Sequence, residues 1–310
     1  MAYHRVDVLS EKLPNFTFYS PTKIVFGEGS FKNVSGELKA LGGKRALLVT
    51  DEGLKESNIV ERVKESLRDL VAGVFGEVIP DSGIEVINKG ASLAREIGAD
   101  SVVSLGGGSS IDTAKGIAAL LSKGKEDISE YIGFFRVREK VAPHVAIPTT
   151  AGTGSEVTSI AVIKDREKGV KRIAADPNLL PPVGILDAGM TASLPPLLTA
   201  STGMDALTHA IEAMHSLNNN PVSDALAFYA ISSIATYLPR CVEKGDDMDA
   251  RGHQLLASTM AGMAFQNALV GVVHALAHAV GGKFGVPHGT ANSIFLPHGM
   301  RYNLPASAQR

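Results

Sequence analysis

In the segment GMDALTHAIEA, Asp205 and His209 stand four residues apart; the same interval separates His274 from His278 in VVHALAHAV, and His288 follows in VPHG. A four-residue step along a helix returns to the same face, so each pair projects from one side of one helix. Divalent first-row metals accept imidazole and carboxylate together, and two helices turning such pairs inward can build a chelate. A lone histidine on an apolar helix is more often a hydrogen-bonded core residue than a ligand. Five acid or imidazole groups on apolar helices favour metal binding, because burying them unpaired costs several kcal/mol. His215, His253 and His298 lack partners at helical spacing and read as structural or surface residues.

A second chemistry is written in glycine. The strand-like run DSVVSLGG leads into Gly106-Gly107-Gly108-Ser109, and the helical pattern that follows carries Asp112 and Lys115. Glycines let the backbone approach a pyrophosphate, and a helix N-terminus offers unpaired N–H groups and a positive dipole end. A tight strand-to-helix turn would need only one glycine. Asp51 closes an earlier strand, RALLVTD, where a carboxylate could accept from a ribose diol and repel a 2′-phosphate, which predicts NAD over NADP. Asp51 could equally be an N-cap. A third loop, Pro148 to Glu156, carries the hydroxyls of Thr149, Thr150, Thr153 and Ser155 with two glycines, and fits a cofactor cleft or, more blandly, a capped turn.

These residues need elements to position them. From residue 45 short β-branched runs alternate with longer amphipathic ones: RALLVT, NIVERVKESLRDLV, AGVFGEVIP, EVINKGASLAREIG, DSVVSLGG, SSIDTAKGIAALLS and HVAIPTT. That rhythm predicts an α/β, Rossmann-like domain with a parallel sheet covered on both faces. Residues 159 to 176 alternate around a charged tip, DREKG, and read as a hairpin against that sheet. Past Leu194-Pro195-Pro196 nearly every segment has helical periodicity. The expected organisation is a nucleotide-binding domain over residues 1–190 and an all-helical metal-binding domain over 191–310.

Composition narrows the classes. The 310 residues are 45% hydrophobic and 20% charged, enough for two packed units. Thirty basic residues against 32 acidic ones give a net charge of -2, which argues against a nucleic-acid partner. The single cysteine, Cys241, excludes an internal disulfide and a thiolate-rich zinc cluster, and suits the cytoplasm. The opening MAYHRVDVLSEKLP lacks a signal peptide's apolar run, and NALVGVVHALAHAVGG is too short and too histidine-broken to span a membrane. No repeat is visible.

Taken in order, Pro21 to Gly27 (PTKIVFG), GGGSSIDTAK from Gly106, PTTAGTGSEVT from Pro148, GMDALTHAIEA from Gly203 and VHALAHAVGGKFGVPHG from Val273 resemble the iron-containing, or group III, alcohol dehydrogenases over nearly the whole chain. The resemblance implies an architecture like that of dehydroquinate synthase. It also implies that Asp205, His209, His274 and His288 hold ferrous iron or sometimes zinc, that His278 relays a proton near the nicotinamide, and that Asp51, Gly106, Gly107, Ser109, Thr149, Thr150 and Lys171 touch NAD. Spacing alone would leave Lys171 a solvated hairpin charge, and it leaves His274 and His278 equivalent. Asp112 and Thr153 complete the expected cofactor set.

The reaction so implied interconverts alcohols with aldehydes or ketones by hydride transfer, the metal polarising the substrate oxygen. A homodimer or larger assembly is expected. Relatives continue with further helices beyond the segment resembling PHGTANSIFLPHGMRYN, so the helical domain is expected to be short. A metal- and NAD-dependent lyase of the dehydroquinate synthase type and a non-catalytic nucleotide-binding remnant are the competing expectations.

Overall fold

The computed structural model describes residues 15–123 and 125–307; the N-terminal segment read for a signal peptide lies outside them. Three aliphatic runs become strands β2 (Ala46–Asp51), β4 (Ser101–Gly106) and β6 (His144–Pro148), buried along almost their whole length. With β1 (Lys23–Phe26), β3 (Val71–Val78) and β9 (Val183–Leu186) they form a six-stranded sheet in the order β1-β9-β6-β4-β2-β3. Every pairing in it is parallel. Successive side chains leave opposite faces of a strand. Leu48, Leu105 and Ile147 therefore pack toward α1 (Val34–Ala40) and α2 (Asn58–Leu67), while Leu47, Val49 and Val102 pack toward α3 (Ile84–Glu96) and α4 (Gly108–Lys123).

Strand order sets the place of the crevice. The chain steps outward from β2 to β3, then returns past β2 to lay down β4, so β2 and β4 send their helices to opposite faces. A crevice opens at such a switch point beyond the carboxyl ends of the strands. Asp51 and Gly106 stand at those two ends. The expected hairpin is β7 (Ile160–Asp165) with β8 (Val170–Ala175), antiparallel, joined by the short β5 (Gly133–Phe134) into a second sheet.

Helices α5 (Pro196–His215), α6 (Pro221–Glu243), α7 (Met248–Ala268), α8 (Val272–Phe284) and α9 (His288–Ser307) make the second half. Pro196 and Pro221 open their helices where a missing N–H costs nothing, and Asn220 with Ser223 forms a reciprocal cap. Alanines line the contacts of α5, α6 and α7, among them Ala206, Ala210, Ala230, Ala257 and Ala261, all fully buried. Helix α6 is long and apolar enough to cross a membrane by length and composition; it packs Ala227, Ala230, Ile234 and Leu238 into this bundle. Between α7 and α8 the chain bends by 103°, through Leu269 at φ 68° and Gly271, and this turn aims the histidines of α8.

His144 lies in the sheet core with its Nε2 2.8 Å from Ser104 Oγ. Burial, and then the charge of Lys115, push its pKa down to about 3 from 6.5. The unfolded chain accepts a proton that the folded chain refuses, so the contribution of the neutral ring is complete above pH 6.5. It is lost as pH falls from 6.5 toward 3, at up to about 1.4 kcal/mol per unit. Urea unfolding should show this slope, and His144→Gln should flatten it. Parallel stability profiles for parent and variant across that window would contradict it.

Candidate metal and dinucleotide site

Helix α5 presents Asp205 and His209 on one face, α8 brings His274, and His288 is the first residue of α9. The first three are almost fully buried and offer ligand atoms within 4.8 Å of one another. His288 joins them through Nε2, 3.5 Å from Asp205 Oδ1, and His274 Nε2 is 3.7 Å from the same oxygen. The Asn292 amide nitrogen donates to Asp205 Oδ1 at 2.6 Å and lies 3.2 and 3.3 Å from His274 Nε2 and His288 Nε2. His278 lies beside the cluster, its ring 4.9 Å from that of His288 and 6.4 Å from that of His274.

The electrostatics describe a locus that wants positive charge. Burial alone would raise the pKa of Asp205, but the imidazoles packed around it, with the His274 hydrogen bond, hold it well below the carboxylate range. At His274 burial opposes the cation, yet the Asp205 and Glu212 carboxylates outweigh it and lift the pKa to about 9. Burial then keeps the neighbours neutral: His209 falls to about 3, and His278 to about 4 with help from the charges of His288 and His274. His209 Nδ1 and His288 Nδ1 are buried without hydrogen-bond partners. One carboxylate and three imidazoles around a focus of negative potential suit ferrous iron or zinc, so the residues present fit the metal.

The dinucleotide elements meet at the switch point. Gly106 ends β4 at φ 156°, and a Cβ there would lie 2.3 Å from Ser110 Oγ and 3.1 Å from Asp51 Oδ2, so only glycine permits this turn. Asp51 accepts from Leu54 N at 3.0 Å through its other oxygen. Its pKa is raised, mainly by burial. Gly106 pairs with Pro148, which lays the glycine turn beside the threonine loop. Gly107 faces Thr150 and Gly108 faces Thr153 at close range, and Thr153 Oγ1 also caps Ser155 N. The Asp112 carboxylate accepts from Ser155 Oγ and Val162 N, which braces the loop.

Lys171 bridges the two halves of the site. Its side chain is only 5% exposed, and its Nζ donates to Asp81 Oδ1 at 2.6 Å. Asp81, at φ 54° after β3, also gives its N–H to Ser109 Oγ at 3.2 Å. The Lys171 charge lowers the pKa of both His278 and His288. Sequence reasoning missed Asp81, Glu212 and Asn292. Helical spacing was the available signal for two of them: Glu212 lies three residues after His209, and Asn292 four after His288.

Two family models match the chain: "Iron-containing alcohol dehydrogenase" over residues 21–188 and "Fe-containing alcohol dehydrogenase family, C-terminal" over 199–310. The NAD-dependent methanol dehydrogenase of Bacillus methanolicus is 41% identical over 295 residues, 94% of this chain and 77% of that protein. The NADPH-dependent butanol dehydrogenase of Clostridium saccharobutylicum is 40% identical, covering 94% of this chain and 75% of the other. A solved structure of a 1,3-propanediol oxidoreductase superimposes with a TM-score of 0.91 at 41% identity, over 94% of this chain and 77% of that one. With a parallel nucleotide-binding sheet, a helical half carrying the acid and histidines, and these relatives, the chain belongs to the iron-containing alcohol dehydrogenase family, the metal-dependent, NAD-linked oxidoreductases of alcohols and aldehydes.

Proposed function

We propose that Asp205, His209, His274 and His288 hold the divalent metal, that Asp51, Gly106, Gly107, Ser109, Thr149, Thr150, Thr153 and Lys171 line the NAD site, and that His278 moves the proton. The carrying observation is the convergence of one carboxylate and three imidazoles from three helices on one buried locus. A metal bound there supplies Lewis acidity toward a substrate oxygen, and NAD supplies the hydride acceptor. The chain's own groups do the rest. The half-buried His278 ring is neutral at physiological pH and sits beside His288, so it can accept a hydroxyl proton without first losing one of its own. The glycine turn and the positive end of α4 orient a pyrophosphate. Lys171 brings a buried positive charge to the junction of the two half-sites.

The substrate is a small primary alcohol or its aldehyde; the methanol, butanol and propanediol activities of the relatives support this reading. The lone buried Cys241 suits a cytoplasmic enzyme, and exposed Leu197, Phe228, Phe284 and Tyr302 suit assembly into a homodimer or larger. Purification without oxygen, metal analysis and a panel of alcohols with NAD and NADP test these assignments together. The parent should use NAD better, and Asp51→Gly should shift the ratio of kcat/KM toward NADP by about tenfold or more, about 1.4 kcal/mol. Equal use of both cofactors by the parent would remove Asp51 from this role.

A further inference from the structure

Glu212 is 2% exposed on α5, one helical turn beyond His209, in the middle of a domain whose contacts are mostly alanine. Its Oε1 accepts from Val273 N at 2.6 Å, while Oε2 accepts from His274 N at 3.3 Å and faces His274 Nδ1 at 2.6 Å. The N-cap of α8, Gly271, has no side chain to offer, and a Cβ there would come 2.9 Å from Glu212 Oε1. One carboxylate from another helix therefore fixes the start of α8 and its first histidine ring at once. We infer that Glu212 is the positioning residue that sets the His274 tautomer and hence the metal affinity of the cluster. This rests on the proposed reading of His274 as a ligand.

An ionised carboxylate only accepts hydrogen bonds. With Oε1 held by the Val273 amide, Oε2 obliges His274 Nδ1 to carry a hydrogen, which leaves Nε2 as the nitrogen available to a cation on the Asp205 side. Such an outer carboxylate also raises the basicity of the ligating nitrogen, and removing one weakens metal binding by about 10- to 100-fold. Glu212→Gln keeps the size but has one accepting and one donating end. If its oxygen stays on Val273 N–H, its NH2 faces Nδ1, which must then accept, and the proton moves to Nε2. If the amide flips, two donors oppose each other at Val273.

The test uses the full chain stripped of metal and titrated with Co2+ against a competing chelator, following the d–d absorption band. Glu212→Gln should bind Co2+ about 10- to 100-fold more weakly than the parent, and in a His274→Ala background the same change should have no further effect. Equal affinity for parent and Glu212→Gln overturns the inference, as does an equal loss in both backgrounds, which would mean that Glu212 only anchors the helix. If the parent takes up no Co2+, the metal reading itself fails, and this inference with it. Should Glu212→Gln not fold, the Zn2+-loaded parent labelled with 15N-histidine decides: His274 must show its proton on Nδ1, and a proton on Nε2 overturns the inference.

Discussion

Asp205→Ala is expected to lose bound metal and alcohol oxidation together, with kcat/KM falling about a thousandfold or more, about 4 kcal/mol of lost transition-state stabilisation. Asp205 is the one carboxylate among the four proposed ligands, and Oδ1 is the atom that His274, His288 and Asn292 all approach. Without it three imidazoles surround a site that has lost its negative charge. His274 then keeps only Glu212 to support a cation, and His209 and His288 lose the nearest anion favouring theirs. NAD binding should survive, because Asp51, Gly106 and the threonine loop belong to other elements and none of their hydrogen bonds reaches Asp205. Metal analysis of anaerobically purified protein, calorimetry with NAD and initial rates with a primary alcohol read the three quantities. A variant without metal that turned over at the parental rate would end the metal mechanism; one that lost NAD affinity equally would point to misfolding.

How much of this was legible in the sequence depends on how local each signal was. Strands β2, β4 and β6 announced themselves as aliphatic runs between helical patterns, and the Gly106 turn needed only neighbouring residues. The edge strand β1 and its neighbour β9 have four residues each and carry no pattern of their own. Spacing proposed the metal histidines but could not separate His274 from His278, since both lie on one face of α8. The bend before α8 and the approach of α5 bring His274, rather than His278, within 4.8 Å of ligand atoms of Asp205 and His209, and these are tertiary facts. Glu212 was not singled out, because its partner His274 is 62 residues away. Lys171 looked like a hairpin charge for the same reason, its carboxylate lying 90 residues earlier.

Lys115→Met should cost about 3–5 kcal/mol of stability and weaken NAD binding although Lys115 faces no cofactor. The side chain is fully buried beneath the glycine turn. Its Nζ donates to Ser155 Oγ at 2.8 Å, to Thr158 Oγ1 at 3.2 Å and to the Ile160 carbonyl at 2.7 Å, with Asp112 Oδ1 at 3.4 Å. Burial lowers its pKa, opposed by the charges of Asp112 and Glu156 and by the Asp112 hydrogen bond. Methionine has similar bulk but gives none of these hydrogen bonds, and it leaves the Asp112 carboxylate without its cation. Burial already raises the pKa of Glu156, which Lys115 and Thr259 oppose, so the same change favours protonation there. The loop that follows β6 then loses the Lys115 share of its ties to α4 and keeps only those to Asp112, so Thr149, Thr150 and Thr153 are held less firmly beside the glycine turn. Adding Asp112→Asn should recover part of the stability by removing the orphaned charge. Urea unfolding and calorimetric NAD titration of the single and double variants decide the matter. A loss below about 1 kcal/mol with unchanged NAD affinity would mean the buried ion pair is dispensable and the loop is held by its backbone alone.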